Sequence, residues 1–105
     1  MSKKEKLENL AIFIGLRAAH EILIKLTNKP ESIAHLEQEA DTYTDLSFDL
    51  AKGNWNKEDI NRIKMLAEKK CNKKLKSYKD INNKKYDEVQ KVIKNTMLDL
   101  ELIKN

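Results

Sequence analysis

The 105-residue chain is poor in the residues that build turns and sheets. It contains two glycines, one proline and six aromatic residues. Strands joined by tight turns need glycine in the turns and aromatic side chains in the strands, so these shortages argue against a β-rich fold. The single cysteine, Cys71, excludes a disulfide within the chain and is typical of a reducing compartment. We therefore expect a cytoplasmic protein.

The sequence also has no apolar run long enough to cross a membrane. In its most hydrophobic part the longest uncharged stretch, residues 9–16, is eight residues long, and Arg17 and Glu21 follow it. A membrane-spanning helix needs about 20 predominantly apolar residues. We therefore expect no association with membranes.

Several catalytic patterns are missing as well. Gly15 and Gly53 are isolated from each other, so the chain has no glycine-rich loop to hold a phosphate. Cys71 falls in the apolar register of a predicted helix, where a buried thiol is a poor nucleophile. We predict no cofactor and no nucleophilic catalysis, and we expect that the protein is not an enzyme.

The two histidines do not match the pattern of a metal-binding bundle. Carboxylate-bridged di-iron bundles carry a glutamate three residues before each histidine, and neither His20 nor His35 has one. His35 does have Glu31 and Glu39 four residues away on either side. That spacing favours hydrogen bonds at the surface over a metal site, since zinc sites recruit three or four ligands. For His20 we expect a hydrogen-bonded, partly buried position.

Helix-forming residues, by contrast, are abundant, and the most apolar window is residues 7–26. Its hydrophobic side chains occupy more than one helical face, so other elements must cover most of its circumference. We therefore predict that the first helix is the centre of an all-α domain.

Local signals divide the chain into four helices. Ser2 followed by Glu5 is a capping box, Pro30 suits a first helical turn, Gly53 suits a helix end in the left-handed conformation, and Asn56 is a good N-cap. The predicted helices are residues 3–27, 30–52, 57–78 and 83–104. Such helices with short connections predict a single domain, a four-helix antiparallel bundle of up-down-up-down order. The alternative is an α-hairpin arrangement that completes its core by dimerisation.

Positive charge is concentrated in the second half of the chain. Residues 1–52 carry seven basic and nine acidic side chains, whereas residues 53–105 carry fourteen basic and eight acidic ones. A lysine cluster of this kind can neutralise phosphates, so nucleic-acid binding is one candidate function. The cluster contains no arginine to read base edges. Its members are Lys69, Lys70, Lys73, Lys74, Lys76, Lys79, Lys84 and Lys85.

A stripe of acidic residues at four-residue intervals marks the second predicted helix: Glu37, Asp41, Asp45 and Asp49. Like charges at this spacing destabilise a helix slightly, so the stripe needs an explanation. One hypothesis is a magnesium-dependent helical enzyme that holds the metal with Glu37, Asp41 and Asp45. Another is docking onto a basic surface, including the chain's own lysines. The simplest interpretation is a solvated helix face.

Two aromatic residues near the end of the second helix are candidates for partner binding. Phe48 lies off the predicted buried stripe, and Trp55 stands in a connection, where it either anchors a partner or covers the end of the core. With no assembled catalytic set and a charge-segregated exterior, the sequence favours a non-enzymatic protein–protein interaction or regulatory module. We expect a protein partner or self-association.

Overall fold

The first helix is the element against which the other helices pack. The computed structural model describes residues 2–27, 29–77 and 88–104. In this part of the chain every regular element is helical, which confirms the all-α prediction. The helices are α1 (Lys3–Leu26), α2 (Ile33–Ala51), α3 (Lys57–Ser77) and α4 (Glu88–Asp99), and a short 3₁₀ turn (Pro30–Ser32) precedes α2.

α1 lies next to all three of the other helices, and α3 also packs against α4. The backbone of α2 lies close to that of α1 but not to that of α3 or α4. The central position of α1 follows from its composition, because its apolar side chains need cover on several sides. None of the described helices combines the length and hydrophobicity needed to cross a bilayer. The buried residues of α1 are Leu7, Leu10, Ala11, Ile14, Gly15, Ala18, Ala19, His20, Ile22 and Leu23.

α1 and α3 approach each other closely at Gly15. A Cβ atom built on this glycine would lie 2.6 Å from the carbonyl oxygen of Ala67 and 2.9 Å from Cβ of Lys70. Both distances are shorter than a carbon atom tolerates. Small buried residues on the α3 side, Ala67 and Cys71, allow the two backbones to come this near. The α1–α3 interface is therefore closely packed at this crossing.

Local hydrogen bonds set the starts of two helices as predicted. Ser2 Oγ accepts a hydrogen bond from the backbone N–H of Glu5 at 3.2 Å. Before α3, Asn56 Oδ1 accepts from the N–H of Asp59 at 2.8 Å, and Asp59 Oδ2 accepts from the N–H of Asn56 at 3.2 Å. These bonds satisfy N–H groups that have no partner inside the helix.

Two predicted boundaries near α2 differ in the structure. The α-helix begins at Ile33, after the 3₁₀ turn (Pro30–Ser32), so Pro30 opens a tighter turn than the α-helix we expected. Gly53 follows the helix but does not adopt a positive φ, so the prediction of a left-handed glycine cap was wrong. At this end Trp55 packs against the core and its Nε1–H donates to the carbonyl oxygen of Ala51 at 3.2 Å.

α4 ends at Asp99, five residues before the predicted end, because the chain turns there. Glu101 adopts a φ of 60°. Its N–H donates to the carbonyl oxygen of Leu98, and the N–H of Leu102 donates to that of Met97, both at 3.0 Å. This pair of bonds is a Schellman motif, in which a non-glycine residue occupies the position that usually holds glycine. The predicted start of this helix, at residue 83, lies outside the described residues.

Candidate functional site

An open cleft of about 290 Å³ lies between α1 and α3. Its apolar part consists of Ile12 from α1, which is 37% exposed, and the half-buried Leu66 from α3. Next to Leu66, Met65 is 69% exposed, the highest value among the large hydrophobic side chains of the described residues. The remaining lining residues are Glu8, Lys69, Lys70 and Lys73.

The close crossing at Gly15 explains how α3 supplies these lysines. Lys70 lies at the crossing, because its Cβ faces Gly15. Its side chain is half-buried. Lys69 and Lys73, on the same flank of α3, are exposed. A lysine at such a position lays its methylene stem along apolar surface and keeps its ammonium group in water. The cleft therefore combines an apolar floor with a positively charged rim.

None of the three lysines at the rim forms an ion pair with any residue that the structure describes. Lys76, further along α3, is exposed, and Lys74 is half-buried and faces Glu39 electrostatically. The structure thus places three of the eight predicted lysines around one cleft. Lys79, Lys84 and Lys85 lie outside the described residues.

The acidic stripe of α2 is exposed to solvent along its whole length, at Glu37, Asp41, Asp45 and Asp49. We call these four residues the acidic ridge. Their carboxylates form no ion pair with the described part of the chain. In residues 2–27, 29–77 and 88–104 no group of three or more His, Cys, Asp or Glu side chains is placed to hold a metal ion. Glu37, Asp41 and Asp45 do not form such a group, and the magnesium site stays a prediction.

Two exposed apolar side chains accompany the acidic ridge. Leu46 is 41% exposed and Phe48 is 45% exposed. At 100° per residue they fall on opposite edges of the ridge. Phe48 also lines a second cleft of about 340 Å³, opposite Asp99, Leu100 and Glu101. The exposed surface of α2 is therefore acidic and amphipathic.

Phe48 and Trp55 have different environments. Trp55 is half-buried against the core and does not line the cleft beside Phe48. The ammonium group of Lys3 lies 5.9 Å from the centre of its ring and 3.0 Å from a carboxylate oxygen of Asp59. The indole of Trp55 thus covers the end of the core. Phe48 is the exposed aromatic residue of the pair.

The structure brings together a polar cluster that sequence reasoning missed. His20 on α1 is 1% exposed, its Nδ1 lies 2.7 Å from the carbonyl oxygen of Leu16, and its Nε2 lies 2.5 Å from Oε2 of Glu39 on α2. Oε1 of Glu39 lies 2.6 Å from Nε2 of the exposed His35. The spacing of Glu39 and His35 was visible in the sequence. The contact with His20, nineteen residues away, was not.

The contact with Leu16 fixes one proton position. A carbonyl oxygen only accepts, so Nδ1 of His20 donates to Leu16. Burial opposes ionisation of Glu39, but the hydrogen bond from His20 and the charges of His20, His35 and Lys74 together lower the pKa of this carboxyl below its ordinary 4.5. The cluster therefore joins α1 to α2 through one charge-assisted hydrogen bond, between His20 and Glu39.

Aromatic packing surrounds this cluster. The ring of Tyr43 lies 5.4 Å from that of His20 and 6.1 Å from that of Phe13, measured between centroids. In α3, Cys71 is fully buried, and burial raises the pKa of its thiol to about 12. A thiol that is protonated at neutral pH is a poor nucleophile.

No protein-family model, curated protein or solved structure matches this chain. The chemistry of its own surfaces must therefore carry any assignment of function.

Proposed function

We propose that this protein is a non-enzymatic interaction module that binds another protein in the α1–α3 cleft. The supporting observation is the apolar floor of Ile12 and Leu66 inside a rim of lysines that have no ion-pair partner among the described residues. Apolar floors with charged rims are typical of grooves that bind a helix of a partner protein. The buried thiol and the histidine cluster, by contrast, have roles in the core.

Each part of the cleft has a separate task in this proposal. Covering Ile12 and Leu66 contributes affinity, because water leaves their apolar surface. Lys69 and Lys73 accelerate encounter with a negatively charged partner and reject positively charged ones. We therefore expect an acidic partner surface that also carries apolar side chains.

The scaffold completes the proposal. We propose the antiparallel up-down-up-down order for the four helices, because the connections between α1 and α2 and between α2 and α3 are short. We also propose a cytoplasmic location, which suits the single buried thiol of Cys71.

Site-specific photo-cross-linking in the cells of origin tests the proposed function. A benzophenone amino acid at Met65, beside the cleft, should yield a defined cross-linked protein product. The same amino acid at Lys94, an exposed position on α4, should not. Adding Lys69→Glu and Lys73→Glu to the Met65 probe should abolish the product. A product of equal yield from both probe positions would contradict the proposal.

Nucleic-acid binding is the second candidate function, and the exposed lysines of α3 are the observation in its favour. Lysines that contact phosphates give binding that weakens steeply as salt rises. Fluorescence anisotropy distinguishes nucleic-acid binding from the proposed protein binding. It is measured with a labelled single-stranded RNA and a labelled DNA duplex, at low and at physiological salt. Our proposal expects no saturable binding at either salt concentration. Saturable, salt-sensitive binding would favour the alternative.

The magnesium-dependent enzyme is the remaining alternative, and it depends on Glu37, Asp41 and Asp45. A ligand that binds the folded state raises the melting temperature. Thermal melts with Mg²⁺, Mn²⁺ and Zn²⁺ should therefore be flat under our proposal. A rise that Asp41→Asn and Asp45→Asn remove would establish a metal site on α2.

A further inference from the structure

We infer that the α1–α3 cleft binds the acidic ridge of α2 from a second copy of this chain. This inference rests on the proposed function and names its partner. The chain itself carries both surfaces that such a contact needs, the basic cleft and an exposed acidic helix face.

Charge is the first point of complementarity. Lys69, Lys70 and Lys73 at the cleft and the four carboxylates of the acidic ridge have no ion-pair partners among the described residues. Within one chain no carboxylate of the acidic ridge forms an ion pair with a rim lysine of the same copy. Opposite, unpaired charges on two separate surfaces attract copies of the chain to each other.

Spacing is the second point. Lys69 and Lys73 are four residues apart on α3, and Asp41 and Asp45 are four residues apart on α2. Because a helix rises 1.5 Å per residue, both pairs repeat at about 6 Å along their axes. Two aligned helices therefore pair two lysines with two aspartates at once.

Apolar surface is the third point. Leu46 and Phe48 stand exposed at the edges of the acidic ridge, and the exposed Ile12 and the half-buried Leu66 line the cleft. Docking the ridge in the cleft covers apolar side chains from both copies, which ion pairs on a free surface would not do. Surface ion pairs alone contribute little, so association needs the charge pairing and this apolar contact together.

The inference predicts association that depends on salt. Each copy carries one cleft and one ridge, so the contacts either close in a two-fold dimer or continue from copy to copy. The solution mass of the full chain, measured by light scattering, should exceed that of a monomer at low salt. It should fall to that of the monomer at about 1 M salt, where the Debye length is about 3 Å. A monomer at low salt would overturn the inference.

A charge-swap experiment tests the same contact residue by residue. One variant carries Lys69→Glu and Lys73→Glu, and the other carries Asp41→Lys and Asp45→Lys. Lys70 is retained because its Cβ packs at the crossing with Gly15. Each variant alone should associate at least about tenfold more weakly than the wild type, because its cleft and ridge now carry the same sign.

A one-to-one mixture of these two variants should associate again, because the acidic cleft of one faces the basic ridge of the other. Restored association also shows that both variants are folded. A control with Lys64→Glu and Lys94→Glu, exposed lysines away from the cleft, should behave like the wild type. If the mixture stays monomeric while both variants have the helical circular dichroism of the wild type, the inference is wrong.

The two proposals fail separately. If the wild-type chain is monomeric at low salt but the Met65 probe still cross-links to another protein, the proposed function stands and self-association does not. If neither the probe nor the mass measurement gives a product, both are wrong.

Discussion

The two faces of α1 are held in different ways. Against α3, α1 packs with small residues, and Gly15 brings the backbones so close that a Cβ would meet the carbonyl oxygen of Ala67. Against α2, its buried His20 makes a charge-assisted hydrogen bond to Glu39. Only three residues of α2 are buried. The first interface depends on shape, and the second adds a charge-assisted hydrogen bond to the packing of Leu36 and Tyr43. The difference predicts that size changes damage the α3 side and that charge changes damage the α2 side.

The largest expected effect is that of Gly15→Ala. Alanine ordinarily stabilises a helix relative to glycine, but here its Cβ would force α1 and α3 apart. We expect the free energy of unfolding to fall by about 2 kcal/mol in urea denaturation. Gly53→Ala is the matched control, because its Cβ meets only the ring of Trp55, at 3.2 Å, and a side chain can move. Equal effects of the two substitutions would contradict the closely packed interface.

Glu39→Ala tests the polar interface. It leaves Nε2 of the buried His20 without its partner, which should cost about 1–2 kcal/mol of stability. Glu37→Ala, two residues away on the exposed ridge, should change stability by less than about 0.5 kcal/mol. The same urea titration measures both. A cost for Glu37→Ala as large as that for Glu39→Ala would mean that the contact with His20 does not join the helices.

Glu101→Gly probes the end of α4, which packs against α1 and α3. Glycine tolerates the positive φ that Glu101 adopts, so we expect a gain of about 1 kcal/mol. Lys94→Gly, in the middle of the same helix, should instead lose about 1 kcal/mol. Thermal melting compares the two variants. No gain from Glu101→Gly would argue that the observed end of α4 is not the end in solution.

The smallest effect is a pH dependence confined to the polar side. Because the pKa of Glu39 is lowered in the folded chain, its contribution is fully present above 4.5 and is lost as pH falls through the folded value. The wild type should therefore lose more stability than Glu39→Gln between neutral pH and about pH 3. Other carboxyls, such as Asp59, are present in both proteins. The difference between the wild type and Glu39→Gln therefore reports on Glu39 alone. Parallel pH profiles would exclude this role for Glu39.

Features of the fold that depend on neighbouring residues could be predicted from the sequence. The capping pairs at Ser2 and Asn56 act within three residues, and both helix starts are confirmed. The burial of Cys71 and the exposure of Phe48 followed from helical periodicity, and the structure confirms both. The end of α4 was missed because Glu101 stands where a helix end usually signals itself with glycine.

Features that depend on packing could not be predicted. Ile12 belongs to the most apolar window of the chain, yet it is exposed because no described helix covers that flank of α1. Nothing in the sequence pairs His20 with Glu39, since that contact arises only when α2 packs on α1. The lysine cluster was visible in the sequence, but its apolar floor was not. The cleft is therefore a property of the fold.

The solution mass of the unmodified chain at low and high salt tests the account most directly. We expect a mass above the 12.3 kDa of one copy at low salt, and a return to 12.3 kDa when salt screens the rim lysines and the acidic ridge. A mass of one copy at both salt concentrations would contradict self-association through the α1–α3 cleft.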